Sequence, residues 1–179
     1  MSAQDVIETG ESKSFFIKTE LTEEQISQLV AYSNSDPEVI KFTSDPRRFK
    51  DRNAFNEWLK KERKFFALTD FHGNLAGIIW YGEQELPQNN LLGGIDPSSY
   101  NYTFAIRLYG KARGKRLSGQ FMQKTFERLF KIHGTDIKGM WLETSADNLP
   151  AVRSYSSFGY RQASKPNAEG KIYMVRDVV

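Results

Sequence analysis

The chain has 179 residues, with 25 Lys+Arg against 22 Asp+Glu, two His and no Cys. That length fits one domain able to bury its own core, and the lack of cysteine excludes disulfides, thiolate-held zinc, iron–sulfur clusters and thiol nucleophiles. A formal charge of +3 and two histidines argue against a polycationic nucleic-acid binder and against a multi-histidine metal site.

Residues 1–13 are polar, carry no apolar stretch of the signal-peptide kind, and are expected to form a flexible arm before a single domain over 14–179. No apolar run approaches the roughly 20 residues of a membrane span, so a cytoplasmic protein is expected. Ser14–Lys18 (SFFIK) reads as a strand. Thr22 and Gln25 then form a capping box, Leu21 and Ile26 a hydrophobic staple, and a helix runs to the Ser33-Asn34-Ser35 cluster. Residues 36–50 read as loop, with Pro37 and Pro46 as breakers. A second helix starts at Asp51, with Phe55, Trp58 and Leu59 on one face. Residues 65–70 and 75–82 form a strand pair around the turn Phe71-His72-Gly73-Asn74, and 83–99 is a polar loop. Residues 100–109 make an aromatic strand. After Gly110 the period changes to that of a helix, with Leu117, Phe121, Met122, Phe126, Leu129 and Phe130 on one face and Gly134 as its stop. A strand over 137–144, a helix over 148–158 stopped by Gly159, and a hairpin of 160–163 with 171–178 complete an α+β layout with one mixed sheet.

Chemistry concentrates where the aromatic strand meets the long helix. Gly110-Lys111-Ala112-Arg113-Gly114-Lys115-Arg116 sets four cations before a helix start, where free backbone N–H groups and the dipole favour a phosphate or pyrophosphate; the plain alternative is a solvated basic turn. A P-loop is excluded, because the glycines are one residue too close and Arg116 follows the lysine. The dinucleotide pattern GxGxxG does not occur.

Arg113-Gly114-Lys115-Arg116-Leu117-Ser118 resembles the [Q/R]-x-x-G-x-[G/A] signature of the GCN5-related N-acetyltransferase (GNAT) superfamily, with Arg116 and Ser118 in place of the two small residues. Leu142-Glu143-Thr144, then Asn148-Leu149-Pro150-Ala151, then Tyr155-Ser156-Ser157-Phe158-Gly159-Tyr160 keep the spacing of that superfamily's second block. The resemblance spans about residues 14 to 178. It implies a three-layer α+β fold whose single mixed, mostly antiparallel sheet is flanked by helices.

It also implies an N-acetyltransferase moving an acetyl group from acetyl-CoA, its co-substrate, to a primary amine by direct attack, with no metal. Backbone N–H groups of Arg113, Gly114, Lys115, Arg116, Leu117 and Ser118 would wrap the CoA pyrophosphate. Ile106 and Leu108 would pair with the pantetheine arm, and the Leu108 N–H would polarise the thioester carbonyl. Asn148 would contact the cofactor, and Tyr155 would protonate the departing thiolate. Glu143 would be the base, as in N-terminal acetyltransferases with a similar Leu-Glu-Val strand; Glu83 and Glu85 are alternatives acting through water. Arg116, placed in a helix first turn, carries no conformational cost there.

Plainer readings stand beside these. Tyr155 with Ala151 and Phe158 forms the stripe of a packed helix face, and Glu143 fits an ordinary surface position. His72 in its turn and His133 at a helix end read as structural. The eroded glycine signature fits a catalytically silent acyl-CoA-binding module of the same fold. The basic loop as a nucleic-acid site is the weakest alternative. The amine-bearing acceptor carries no readable motif over 22–51 or 83–99, although Glu83, Glu85 and Asp96 would suit a cationic amine. Monomer and homodimer are both compatible with the sequence.

Overall fold

The computed structural model describes residues 5–9, 14–134 and 136–178. Its elements are β1 Asp5–Glu8, β2 Ser14–Lys18, α1 Glu23–Ser35, α2 Pro37–Phe42, α3 Asp45–Arg48, α4 Arg52–Leu59, β3 Lys64–Thr69, β4 Leu75–Glu83, β5 Tyr102–Leu108, α5 Leu117–His133, β6 Gly139–Ser145, α6 Leu149–Ser157, β7 Arg161–Gln162 and β8 Lys171–Asp177. The strands follow one another as β1-β2-β3-β4-β5-β6-β8-β7 in one mixed, mostly antiparallel sheet, and β5 with β6 is a parallel pair. The expected α+β class, a sheet flanked by helices, is what the chain forms.

Two regions depart from the sequence reading. Part of the expected arm is a strand: Asp5–Glu8 pairs antiparallel with β2 from Asp5↔Ile17 to Glu8↔Ser14, and Ile7 is fully buried. Two β-branched residues, Val6 and Ile7, are enough to extend the meander by one strand. Residues 1–4 and 10–13 of that arm lie outside the described residues. The expected loop over 36–50 contains α2 and α3, because Pro37 and Pro46 occupy first-turn positions, where a missing N–H costs nothing and the fixed φ favours the helix.

Elsewhere local rules place the boundaries. The Thr22–Gln25 capping box forms in both directions, at 3.3 Å and 3.0 Å. Asp36, Asp51 and Asn148 cap α2, α4 and α6 through side-chain oxygens. On α5 the apolar face is narrower than expected: Leu117, Phe121, Met122 and Leu129 are buried, but Phe130 is 39% exposed.

The chain divides into two compact units, Met1–Trp80 with Ile106–Thr125, and Tyr81–Ala105 with Phe126–Val179. In the first, Phe49, Phe55, Trp58 and Trp80 pack edge-on, tilted and, for Phe55 with Trp58, stacked, at 5.1–6.2 Å between ring centres. Helix α1 holds the β3–β4 turn, with Gln25 Nε2 donating to Gly73 O at 2.8 Å and Gln28 Oε1 accepting from Leu75 N at 2.7 Å. In the second unit, β6 pairs with β8 over seven positions, and Leu86, Tyr100, Trp141, Ala163 and Val175 form a buried cluster on one face.

Candidate active site

In the first unit, the end of β5 leads into the basic loop. Ile106 and Leu108 are half-buried, and the Tyr109 N–H bonds Ala76 O at 2.9 Å. Gly77 on β4 lets this stretch lie close: a Cβ there would meet Arg107 O at 2.6 Å and Leu108 Cδ2 at 2.9 Å. A single 3₁₀ turn, Gly110–Ala112, comes next, closed in part by the Arg113 N–H on Gly110 O at 3.2 Å. The Arg113 amide expected to face a pyrophosphate is thus already bonded, and its guanidinium pairs with Asp36 at 2.9 Å.

Beyond it Gly114 has φ +76° and Arg116 φ +56°. Arg116 is not in the helix first turn, as expected from sequence; α5 starts one residue later, at the buried Leu117. Arg116 therefore occupies a left-handed conformation that favours glycine, at the position where the GNAT signature has glycine. Left-handed turns in a loop before a helix are one of the backbone forms from which anion-binding concavities are built. The positions where Cβ atoms of Gly110, Gly114 and Gly119 would lie are open space. The loop thus fits a diphosphate approaching its backbone. A cavity of about 390 Å³ adjoins it, lined among others by Phe15, Tyr32, His72, Tyr109, Gly110 and Lys115.

In the second unit, the β5–β6 ladder has the register pairs Tyr102↔Met140 and Thr103↔Trp141. Glu143 projects from β6 on the side of Trp141, exposed, with Oε1 3.4 Å from Lys171 Nζ. Tyr173 is its cross-strand neighbour; burial and then the Glu143 charge push the Tyr173 hydroxyl up from its ordinary value. The Lys171 ammonium is held up chiefly by its hydrogen bond to Glu169. Asn148 Oδ1 accepts from the Ala151 N–H at 3.3 Å, so its oxygen is the α6 cap and its amide N–H₂ is the part available to a ligand. Tyr155 is 6% exposed, edge-on to Phe104 at 6.2 Å and beside Tyr160 at 6.1 Å. Its ring does pack in the core, as the helical stripe implies. Glu83 and Glu85 are exposed.

Sequence reasoning missed a charged cluster in the first unit. Asp45, at the start of α3, is fully buried and takes Arg107 as a fork, Nε to Oδ2 at 2.7 Å and Nη2 to Oδ1 at 3.2 Å, while Arg48 pairs with the same carboxylate. Both guanidinium carbons lie over the Trp80 ring, at 5.0 Å for Arg107 and 5.2 Å for Arg48. The signal available was Arg107 itself, a lone charge in the strand YTFAIRL. Among the described residues, no three His, Cys, Asp or Glu side chains are placed to hold a metal, and no helix is long and apolar enough to cross a membrane.

Comparison with known proteins places these features in a family. Residues 26–160 match the model of the Acetyltransferase (GNAT) family. No curated protein matches the chain by sequence. Among solved structures, spermidine N-acetyltransferase from Vibrio cholerae, in complex with CoA and spermine, superposes with a TM-score of 0.68 at 14% identity, covering 92% of this chain and 95% of that one. Aminoglycoside acetyltransferase AAC(6')-Ib, in complex with coenzyme A and kanamycin, gives 0.63 at 16% identity, over 91% and 94%. An uncharacterized protein from Bacillus halodurans gives 0.70 at 10% identity, over 98% and 90%.

Proposed function

The chain belongs to the GNAT acetyltransferase family, and from that premise we propose that it transfers an acetyl group from acetyl-CoA to a primary amine by direct attack. The observation that carries this reading is the loop before α5, which takes left-handed turns at Gly114 and at Arg116, an arginine where the GNAT signature has glycine. A non-glycine residue held there costs roughly 1–2 kcal/mol, a cost sustained only where the surrounding structure imposes the winding. Acetyl-CoA supplies an activated thioester. The chain supplies the rest: amides of the 114–118 loop for the diphosphate, the β5 backbone at Ile106 and Leu108 for the pantetheine, and the Asn148 amide.

Glu143 is the proposed base. Lys171 and Tyr173 orient its carboxylate and leave it exposed to a water or an incoming ammonium. Tyr155 is the proposed acid, and its ring packing against Phe104 fixes where the hydroxyl points. The same two residues favour a second reading, the silent acyl-CoA-binding module, since an ion-paired glutamate and a core tyrosine need no catalytic role.

Thermal unfolding with acetyl-CoA, CoA and ATP at fixed ionic strength separates the outcomes. A ligand at 100 times its Kd stabilises the fold by about 2.7 kcal/mol, several degrees for a chain of this size. Stabilisation by both CoA species and not by ATP is expected, with thiol release on adding an amine. Glu143→Gln and Tyr155→Phe should each lower kcat by about 10²-fold or more with the CoA shift retained. CoA binding with unchanged turnover in both variants would remove these residues from the chemistry; binding with no turnover on any amine would leave the silent module.

A further inference from the structure

Among the described residues, the charged cluster around Trp80 gathers three arginines and one buried acid. Asp45 is shared by Arg48 and Arg107; burial first lowers the proton affinity of Arg48 against the pull of Asp45, and the charges of Arg107 and of a third arginine, Arg63, add to that lowering. Burial lowers Arg63 in the same direction, with no carboxylate opposing it. Its Nε is buried with no hydrogen-bond partner, as is Nε1 of Trp58, whose ring stands edge-on to Trp80 at 5.6 Å. The Tyr109 hydroxyl, close enough to Asp45 and Arg107 to feel both charges, is also buried and unpartnered. Arg107 is engaged by Asp45 and by Ile106 O at 2.8 Å, whereas the Arg63 and Trp58 N–H groups and the Tyr109 hydroxyl are buried donors without an acceptor among the described residues. The cluster is still reachable from solvent, since the Arg48 and Arg107 side chains keep 30% and 16% of their exposure.

We propose that Arg48, Arg63 and Arg107 bind an oxyanion on the acceptor, so that the amine acetylated by this chain carries a carboxylate or phosphate and is not a polycation. The proposal rests on the acetyltransferase reading. Its link to that site is the strand itself: Arg107 lies between Ile106 and Leu108 on β5, and alternation turns its side chain to the other face, toward α3. An acceptor that reaches both the Leu108 backbone and the arginines carries its amine and its anion on one molecule. A polyamine or an aminoglycoside would bring further positive charge to a cluster of three arginines.

The test has a binding arm that needs no turnover and a kinetic arm. In thermal unfolding at constant ionic strength, N-acetylglycine should raise Tm saturably while its neutral amide does not. Arg63→Gln, which removes no partner of Asp45, should weaken that response at least tenfold. Arg48→Lys, which keeps the charge and loses the fork, should weaken it less, and Lys60→Gln on the exposed end of α4 should leave it intact. In the kinetic arm, glycine against glycinamide, and phosphoethanolamine against ethanolamine, separate carboxylate from phosphate. At least one anionic member should exceed its neutral partner tenfold in kcat/KM, and Arg63→Gln should raise its KM with kcat little changed. Equal Tm responses to N-acetylglycine and its amide, or a response unaltered in Arg63→Gln, would overturn the proposal. So would efficient turnover of spermidine or kanamycin with no preference for anionic amines, which leaves the acetyltransferase reading standing. Absence of acetyl-CoA binding would instead overturn that reading, and the acceptor assignment with it.

Discussion

An arginine at φ +56° has no counterpart in a sequence pattern, because a one-letter code does not record the hand of a backbone turn. In a helix Arg116 would be conformationally neutral; its actual conformation makes it a strained residue at the mouth of the basic loop. Glycine there would relieve about 1–2 kcal/mol of left-handed strain and give back roughly 0.5–1 kcal/mol through a freer unfolded chain. Arg116→Gly is therefore expected to stabilise the unliganded protein by about 0.5–1 kcal/mol, a Tm rise of about 1–4 °C by calorimetry. Unchanged or lowered Tm would mean that the arginine side chain contributes more than its backbone costs. The Asp45 cluster was illegible for a different reason. Its members stand at 45, 48, 63 and 107, and nothing in the local pattern around any of them announces the others. By contrast, the spacing of Glu143, Asn148 and Tyr155 was readable because their elements, β6 and α6, are consecutive.

Elements were legible where a local device marks both ends. The box at Thr22, the cap at Asp51, Gly159 after α6 and the bounds of β2 are set by side chains near in sequence. The region 36–50 was not, since a proline can close one element or open the next and the letter alone does not say which. Asp36 shows how these short helices are held. Its Oδ1 accepts from the Glu38 and Val39 N–H groups at 3.0 Å and 3.3 Å, and its Oδ2 pairs with Arg113 in the loop before α5. Asp36→Ala should cost about 1–2 kcal/mol in urea unfolding, cap and ion pair together. Asp36→Asn keeps a capping oxygen and should cost under about 1 kcal/mol. If the ion pair matters, Arg113→Ala added to Asp36→Ala should cost less than the sum of the two singles. Additive losses would mean that Asp36 acts on α2 alone.

For the whole molecule, the α+β class with one mixed sheet was within reach of sequence, because each strand and helix carries its own period. What sequence could not assign was which polar groups the folded chain buries. The buried tyrosines include Tyr109 in the first unit, 2% exposed, and Tyr160 in the second, 3% exposed. Burial pushes both well above the ordinary phenol value, with the Asp45 charge adding at Tyr109 and Tyr81 at Tyr160. A raised folded value means that the native state holds these protons after the unfolded chain has begun to lose them. Their contribution is intact below the unfolded pKa of about 10 and declines as pH rises above it, by about 1.4 kcal/mol per pH unit for each tyrosine that stays protonated. Stability in urea should therefore be level with respect to these groups from pH 7 to 9 and fall steeply between pH 10 and 11. Tyr109→Phe, which also removes an unpartnered buried hydroxyl, should make that fall shallower by up to one proton's slope. An alkaline slope identical in Tyr109→Phe and wild type would show that the Tyr109 hydroxyl ionises as readily in the folded chain as in water, contrary to its burial.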